Sequence, residues 1–296
     1  MTDHIVLLSE KSSGSSIFQK ELTKHSLINT VSWTPHTEAE TLYWVKVANL
    51  LGYPKSAFWA SKSPFPKNYS RKSIDKILKQ NIGIESSPDT DWEFFKNAWE
   101  QLVDGFGPVF FEKSPHHLNQ WPALACLHRF VKESDKKTKI IGLVRNPLSV
   151  IYSTHKRWHT DAQHRQYAWE QSYRNLLALQ QLLPPDQLLI VRYEDIITQP
   201  RDQFKKILAF VDLEYEYQIG KDLHRESISK WELDETFSFK VDANVMMTAK
   251  HFGYTEEEMT CIKGSNAPVR ARNKRIKKAL HGFRSKANFV KNHIIQ

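Results

Sequence analysis

A loop near the start of the chain has the residue types of a phosphate-binding site. Residues 9–16 read SEKSSGSS and lead into a segment with helical spacing of its apolar residues. Backbone amides at the start of a helix, together with a cation, can bind a phosphate group. The candidate binding residues are Lys11, Ser12, Ser13, Gly14, Ser15 and Ser16. The sequence therefore predicts an anion site in this loop.

This loop differs from the loop of nucleoside triphosphatases. No glycine in it is followed directly by lysine and then serine or threonine, so the GxxxxGK(S/T) pattern is absent. A nucleotide-dependent kinase on a similar fold is therefore an alternative that the sequence disfavours. A polar turn without a ligand is a second alternative.

Strand-like and helix-like segments alternate along the chain. The predicted strands are residues 5–8, 28–33, 108–112, 139–144 and 188–193. The predicted helices are residues 17–25, 37–51, 91–103, 118–132, 147–155, 162–183 and 199–210. This alternation predicts an α/β fold, a single P-loop-like domain whose mostly parallel sheet is flanked by helices. Ligands bind at the carboxyl edge of such sheets, where the loops after Leu8 and Val144 meet.

A second motif follows the strand at 139–144. Residues 145–153 read RNPLSVIYS, in which Arg145 ends the strand and Ser153 lies on the next helix. A guanidinium and a hydroxyl so placed can hold one phosphate from two sides. Together with the first loop, this motif resembles the sulfotransferases that depend on 3′-phosphoadenosine 5′-phosphosulfate (PAPS), whose donor site contains an RxPxxxxxS element. The resemblance implies that Arg145 and Ser153 bind the 3′-phosphate and that Lys11 acts at the 5′-phosphate.

Two further stretches resemble the carbohydrate and tyrosyl-protein branches of that family. They are FFEKSPHHL at residues 110–118 and VRYEDIITQP at residues 191–200, so that the resemblance covers residues 5 to 200. One position departs from the family pattern. The basic residue of the first loop usually stands two places before its glycine, but Ser12 occupies that place and Lys11 stands three before.

The resemblance implies an enzyme that transfers a sulfuryl group from PAPS to a hydroxyl or amine, without a metal. The acceptor could be a glycan or another biomolecule, and the sequence does not identify it. The family places the catalytic base just beyond the second strand, where residues 34–44 read TPHTEAETLYW. Of His36, Glu38 and Glu40, we select His36 and Glu40, which are four residues apart and would share one side of a helical turn. The predicted acceptor-side residues are Glu112, Lys113 and His116.

The charge of the chain is concentrated in a C-terminal tail. The formal net charge is +9, and residues 259–296 carry ten basic residues and no acidic one. Without these ten, 32 Lys and Arg stand against 33 Asp and Glu, so the rest of the chain is nearly neutral. We therefore predict a catalytic domain at 1–258 and a basic extension at 259–296, with no specific nucleic-acid partner.

The tail carries a stripe of apolar residues at helical spacing. The stripe consists of Ile276, Leu280, Phe283, Ala287, Val290 and Ile294. A basic helix of this kind can lie on an anionic membrane surface, or its apolar stripe can pack back on the catalytic domain. A non-catalytic protein that docks on acidic partners through the tail is the remaining alternative to an enzyme.

Nothing at the N-terminus predicts export. The first residues, MTDHIVLLSE, lack the basic start and long apolar run of a signal peptide. We therefore expect a cytoplasmic protein, with peripheral contact to a membrane if the tail binds lipid. Cys126 and Cys261 are far apart in the chain, and we expect both to be reduced packing residues.

Overall fold

Five parallel strands form a central sheet. The computed structural model describes residues 2–54, 65–85, 91–223, 228 and 230–263. The strands are β1 (His4–Ser9), β2 (Ile28–Asn29), β3 (Val109–Lys113), β4 (Thr138–Val144) and β5 (Leu188–Arg192). Their order in the sheet is β2-β3-β1-β4-β5, with every neighbouring pair parallel. The predicted α/β class is thereby confirmed.

Helices cover both faces of this sheet. In the described ranges they are α1 (Ser15–Leu22), α2 (Tyr43–Leu50), α3 (Lys67–Ile82), α4 (Trp92–Gly105), α5 (Pro115–Asn119), α6 (Trp121–Glu133), α7 (Pro147–Trp158), α8 (Ala162–Leu182), α9 (Tyr193–Thr198), α10 (Pro200–Phe210), α11 (Lys230–Leu233) and α12 (Ala243–Lys250). Successive residues of β1 point to opposite faces, so Val6 and Ile5 belong to two separate apolar clusters. Burial on both faces explains why the middle of this strand, residues 5–8, is entirely apolar.

A small hairpin lies beyond the last strand of the sheet. Its strands β6 (Phe239–Lys240) and β7 (Thr260–Cys261) pair antiparallel. The folded part of the chain therefore continues past residue 258, where we placed the domain boundary. The rest of the predicted extension, residues 264–296 with the apolar stripe, lies outside the described residues. In the part that is described, no helix is long and apolar enough to cross a bilayer.

The segment before α2 is the main departure from the predicted elements. The predicted strand at 28–33 is only two residues long, and the predicted helix at 37–51 is a 3₁₀ turn (Thr37–Ala39) followed by α2. Glu38, Ala39 and Leu42 have φ angles of 60°, 55° and 51°, which break a helix. His36 and Glu40 therefore do not share a helical turn. The prediction was wrong because polar contacts of this loop outweigh its local helix propensity.

Prolines explain two smaller differences. The predicted helix at 118–132 is divided at Gln120, two residues before Pro122. Helix α9 separates β5 from α10, and the chain leaves helical geometry at Gln199, directly before Pro200. The residue before a proline disfavours the helical region, which applies to Gln199, and proline is favoured in the first turn of a helix, which applies to Pro122 and Pro200.

Candidate active site

The first loop, residues 10–14, joins β1 to α1 at the carboxyl edge of the sheet. Its last residue, Gly14, has a φ of 89°, a conformation that favours glycine. A Cβ atom at this position would lie 2.2 Å from the Cε2 atom of Tyr193. The ring of Tyr193 therefore closes one side of the loop and leaves no room for a larger residue.

The start of α1 supplies this loop with hydrogen-bond donors. Ser15 and Ser16 lie in the first turn, where backbone N–H groups have no partner within the helix. The helix dipole favours an anion at this end. Lys11 adds a cation, and its Nζ atom lies 4.4 Å from the centre of the Trp158 ring. The donor set fits a phosphate or sulfate group.

Helix α8 supports the loop through a buried tyrosine. Tyr173 donates a 3.0 Å hydrogen bond to the carbonyl of Leu143 in β4. The Ser13 hydroxyl shares a 2.9 Å hydrogen bond with the same phenol oxygen. Tyr173 therefore ties the first loop to the neighbouring strand. Sequence reasoning did not single it out, because a tyrosine on a helix of mixed composition gives no signal of its partner.

A buried ion pair holds the start of the same loop. Arg165 of α8 pairs with Glu10, and both side chains are at most 2% exposed. Arg165 also donates a 3.1 Å hydrogen bond to the Lys11 carbonyl. Sequence reasoning missed this pair as well. The available signal was the position of Arg165, one turn before the buried Trp169, because a charged residue in a buried helical stripe requires a partner.

Arg145 reaches the first loop from the end of β4. Its Nη1 atom donates a 2.9 Å hydrogen bond to the Ser12 carbonyl. Its guanidinium lies 4.6 Å from the centre of the Tyr193 ring. The structure therefore brings Arg145 and the loop together, as the two sequence motifs predict. Ser153 lies half-buried in the middle of α7.

An ion-pair cluster joins the start of α1 to the end of β3. Lys113 lies 2.8 Å from a carboxylate oxygen of Glu40 and 3.5 Å from one of Glu38. Glu38 in turn accepts a hydrogen bond from the Ser16 hydroxyl. Burial raises the pKa of Glu40, although Lys113 opposes this shift. Of the predicted bases, Glu40 is thus the one that faces a cation at the carboxyl edge.

The two histidines near this cluster are neutral at physiological pH. Burial lowers the pKa of His36 to about 3, with nearby Lys46 and His116 adding to the shift. Burial also lowers the pKa of His116 to about 3, with Lys11 the next cause. The ring of His36 lies 6.1 Å from that of Phe65. A histidine with so low a pKa is a weak base at neutral pH.

Two of the predicted acceptor-side residues are fully buried. The side chain of Lys113 has no exposed surface, and it is engaged by Glu40 rather than held out to steer an acceptor. Glu112 is 1% exposed and accepts a 2.8 Å hydrogen bond from Thr41. The expectation that Glu112 contacts a substrate is not supported by this burial, because its carboxylate points into the protein.

In the described ranges, no three His, Cys, Asp or Glu side chains are grouped as a metal site would require. The charged groups at the carboxyl edge are instead organised as two sets. One set surrounds the first loop, and the other is the Glu40–Lys113 pair at the end of β3. The fold and these two sets define a parallel α/β protein with a candidate anion-binding loop after its first strand.

A sequence profile of the sulfotransferase family matches residues 5–217. The chain therefore belongs to the sulfotransferase family, which confirms the resemblance found in its motifs. The chain is also 27% identical over 160 residues to a Caenorhabditis briggsae protein named "Putative protein-tyrosine sulfotransferase". That match spans 49% of this chain and 56% of the relative, so it extends over little more than half of the relative's length.

Two solved structures share the fold. The sulfotransferase domain from the curacin biosynthetic pathway has a TM-score of 0.59 and 17% identity, covering 86% of this chain and 99% of that domain. The sulfotransferase domain from the Synechococcus PCC 7002 olefin synthase has a TM-score of 0.55 and 17% identity, covering 85% of this chain and 94% of that domain. These likenesses establish the architecture of the sheet and its helices.

Proposed function

We propose that this protein transfers a sulfuryl group from PAPS to a hydroxyl or amine of an acceptor. The observation that carries the proposal is the 2.9 Å hydrogen bond from Arg145 to the Ser12 carbonyl. It joins the two sequence motifs at the ends of neighbouring strands, β1 and β4. Two cations and the first turn of α1 then border one anion site, as a donor with several phosphate charges needs.

The mechanism is an in-line displacement at sulfur, which depends mainly on positioning and charge stabilisation. The Glu40 carboxylate accepts the proton of the acceptor as the acceptor oxygen or nitrogen bonds to sulfur. The bond between sulfur and the bridging oxygen breaks, and adenosine 3′,5′-bisphosphate leaves with the electron pair. Lys11 and the amides of α1 stabilise the charge on its 5′-phosphate.

Glu40 is favoured over His36 as the base. The pKa of His36 is about 3, so its ring is neutral at pH 7 but accepts a proton weakly. Burial raises the pKa of the Glu40 carboxylate toward the working range of a general base. Lys113 keeps this carboxylate at the carboxyl edge, and His116 remains a prediction for acceptor contact.

Arg145→Ala should weaken the binding of adenosine 3′,5′-bisphosphate about tenfold to a hundredfold, because a charge-assisted contact to phosphate is lost. Ser153→Ala should weaken binding less, because a neutral hydroxyl is removed. Isothermal titration calorimetry with adenosine 3′,5′-bisphosphate and with ATP measures both effects. Arg174→Ala is the matched control, since Arg174 is an exposed arginine that pairs with Glu170 within α8.

The same titration tests the function itself. Binding of the bisphosphate by the wild-type protein, and its loss in Arg145→Ala, supports a sulfotransferase. Binding of ATP with no response to the bisphosphate indicates a kinase, and binding of neither nucleotide indicates a docking protein. An assay with labelled donor and pooled glycans, amines and tyrosine-containing peptides then identifies the acceptor. The peptides are included because of the name of the Caenorhabditis briggsae relative.

We propose that the basic tail, residues 259–296, makes peripheral contact with an anionic membrane, and the alternative is that its apolar stripe packs on the catalytic domain. We expect the full chain to sediment with vesicles that contain phosphatidylserine at low salt, because the tail carries ten basic residues and no acidic one. A chain that ends at Ala267 should remain in solution, as should the full chain at high salt. Vesicle binding that survives truncation contradicts the prediction, and unfolding on truncation indicates that the stripe packs on the catalytic domain.

A further inference from the structure

The first turn of α2 is held by three side chains rather than by an ordinary helix cap. The backbone N–H of Leu42 donates a 2.9 Å hydrogen bond to the Ser114 hydroxyl. The next amide, of Tyr43, donates a 3.1 Å bond to the Thr41 hydroxyl. The third, of Trp44, donates a 3.2 Å bond to Nε2 of His117. Three consecutive amides thus have three separate acceptors.

All three acceptors contact the carboxylate of Glu112. The hydroxyls of Thr41 and Ser114 both donate to the same oxygen of Glu112, over 2.8 Å in the case of Thr41. The Nδ1 atom of His117 lies 3.5 Å from the other oxygen. Because Nε2 of His117 accepts from an amide, Nδ1 carries the proton that points at Glu112. The contact is electrostatic, because in the described part of the chain neither of these two atoms has a hydrogen-bond partner.

The Thr41 and Ser114 hydroxyls therefore each relay a hydrogen bond from an amide to Glu112, and His117 adds an electrostatic contact. We use the name relay for the set of Glu112, Thr41, Ser114 and His117. Burial alone would raise the pKa of Glu112, but His117 and the hydrogen bonds from the relay hold the pKa below its ordinary value. The carboxylate is thus an acceptor for the whole relay, and it complements the positive end of α2 through intervening side chains.

The relay acts on a backbone that needs support. Leu42 is a non-glycine residue with a φ of 51°, and Ala39 has a φ of 55°. Such conformations persist only when their surroundings determine them. The fully buried Lys46 adds a 2.6 Å hydrogen bond to the Thr41 carbonyl. Glu40 lies between the two strained residues, so its position depends on the anchoring of the segment that follows it.

We propose that Glu112 is a positioning residue of this enzyme, which anchors residues 41–44 through the relay and so fixes Glu40 opposite Lys113. The inference rests on the proposed function of Glu40. Adjacent residues of a strand point to opposite sides, so Glu112 reaches the start of α2 while Lys113 reaches Glu40. Of these two adjacent residues at the end of β3, Glu112 anchors the segment that follows Glu40, and Lys113 pairs with the Glu40 carboxylate.

The test compares Ser114→Ala with Ser114→Thr. Alanine removes one hydroxyl of the relay, whereas threonine retains it. Ser172→Ala is the control, since it removes another fully buried hydroxyl, on α8, that bonds to Asn119. Hydrogen exchange followed by mass spectrometry reports on the amides of residues 42–44, and steady-state kinetics and calorimetry give kcat, KM and the Kd of adenosine 3′,5′-bisphosphate.

We expect Ser114→Ala to speed exchange at residues 42–44 and to lower kcat about tenfold or more, because a small displacement of a catalytic group is costly. The Kd of the bisphosphate should not change, and Ser114→Thr should recover both properties. If the amides of residues 42–44 exchange at the same rate in Ser114→Ala as in the wild-type protein, the proposal is overturned. It is also overturned if these amides exchange faster while kcat is unchanged. If the wild-type protein transfers no sulfuryl group, the proposed function fails, while the exchange comparison still decides whether the relay anchors this segment.

Discussion

Glu40→Gln should lower turnover by about a hundredfold to ten-thousandfold, the range typical of a lost general base. The amide keeps the size of the side chain but cannot accept the proton of the acceptor. The affinity for adenosine 3′,5′-bisphosphate should remain close to that of the wild-type protein, because Glu40 contacts Lys113 at the end of β3 and is not part of the first loop. Initial-rate measurements at saturating donor, with calorimetry alongside, check both expectations.

The pH dependence of turnover gives the same test a second readout. The rate of the wild-type protein should fall as the pH decreases through the pKa of Glu40, which burial raises above its ordinary value. This limb should be absent from Glu40→Gln. His36→Ala is the companion variant, and it should retain the limb because the pKa of His36 is about 3. A loss of turnover in His36→Ala with normal turnover in Glu40→Gln would reverse the assignment, and normal turnover in both would contradict both candidates.

The second large effect concerns stability. Arg165→Met should reduce the free energy of unfolding by about 3–5 kcal/mol, because it leaves the carboxylate of Glu10 buried without its cation. Both partners are almost completely buried in the wild-type protein. Urea denaturation followed by circular dichroism measures this change.

The double variant Glu10→Gln with Arg165→Met separates the cost of an unpaired charge from the loss of packing. We expect it to regain most of the lost free energy of unfolding, because no ion remains buried. Both variants should bind adenosine 3′,5′-bisphosphate more weakly than the wild-type protein, since each lacks the hydrogen bond from Arg165 to the Lys11 carbonyl. If Arg165→Met is as stable as the wild-type protein, the ion pair is not important for the fold.

The sequence was most informative where a short motif follows a buried strand. The apolar runs that became β1 and β4 end at the first loop and at Arg145, and neighbouring parallel strands bring those ends together. Backbone geometry alone therefore predicts that Arg145 approaches the loop. In the structure, this approach is a hydrogen bond from Arg145 to the Ser12 carbonyl.

Contacts between distant segments could not be predicted in this way. The pairing of Glu40 with Lys113 spans 73 positions, and that of Glu10 with Arg165 spans 155. Local propensity contains no information about such partners, and in residues 37–42 it favours a helix that the polar contacts override. The burial of Glu112 was missed for the same reason. Two adjacent charged residues, Glu112 and Lys113, are typical of an exposed segment, and their buried partners are distant in the sequence.

The small hairpin beyond the sheet has a consequence for how the protein melts. Glu258, just before β7, accepts a 3.2 Å ion-pair contact from Arg192 of β5, and its carbonyl accepts a 2.8 Å hydrogen bond from Asn146. The hydroxyl of Tyr254 donates a 2.7 Å hydrogen bond to Glu194, which lies in α9 directly after β5. The C-terminal elements are thus bound to the ends of β4 and β5, next to the proposed donor site. Calorimetric melting of the protein should therefore show a single cooperative transition in which the hairpin and the sheet unfold together.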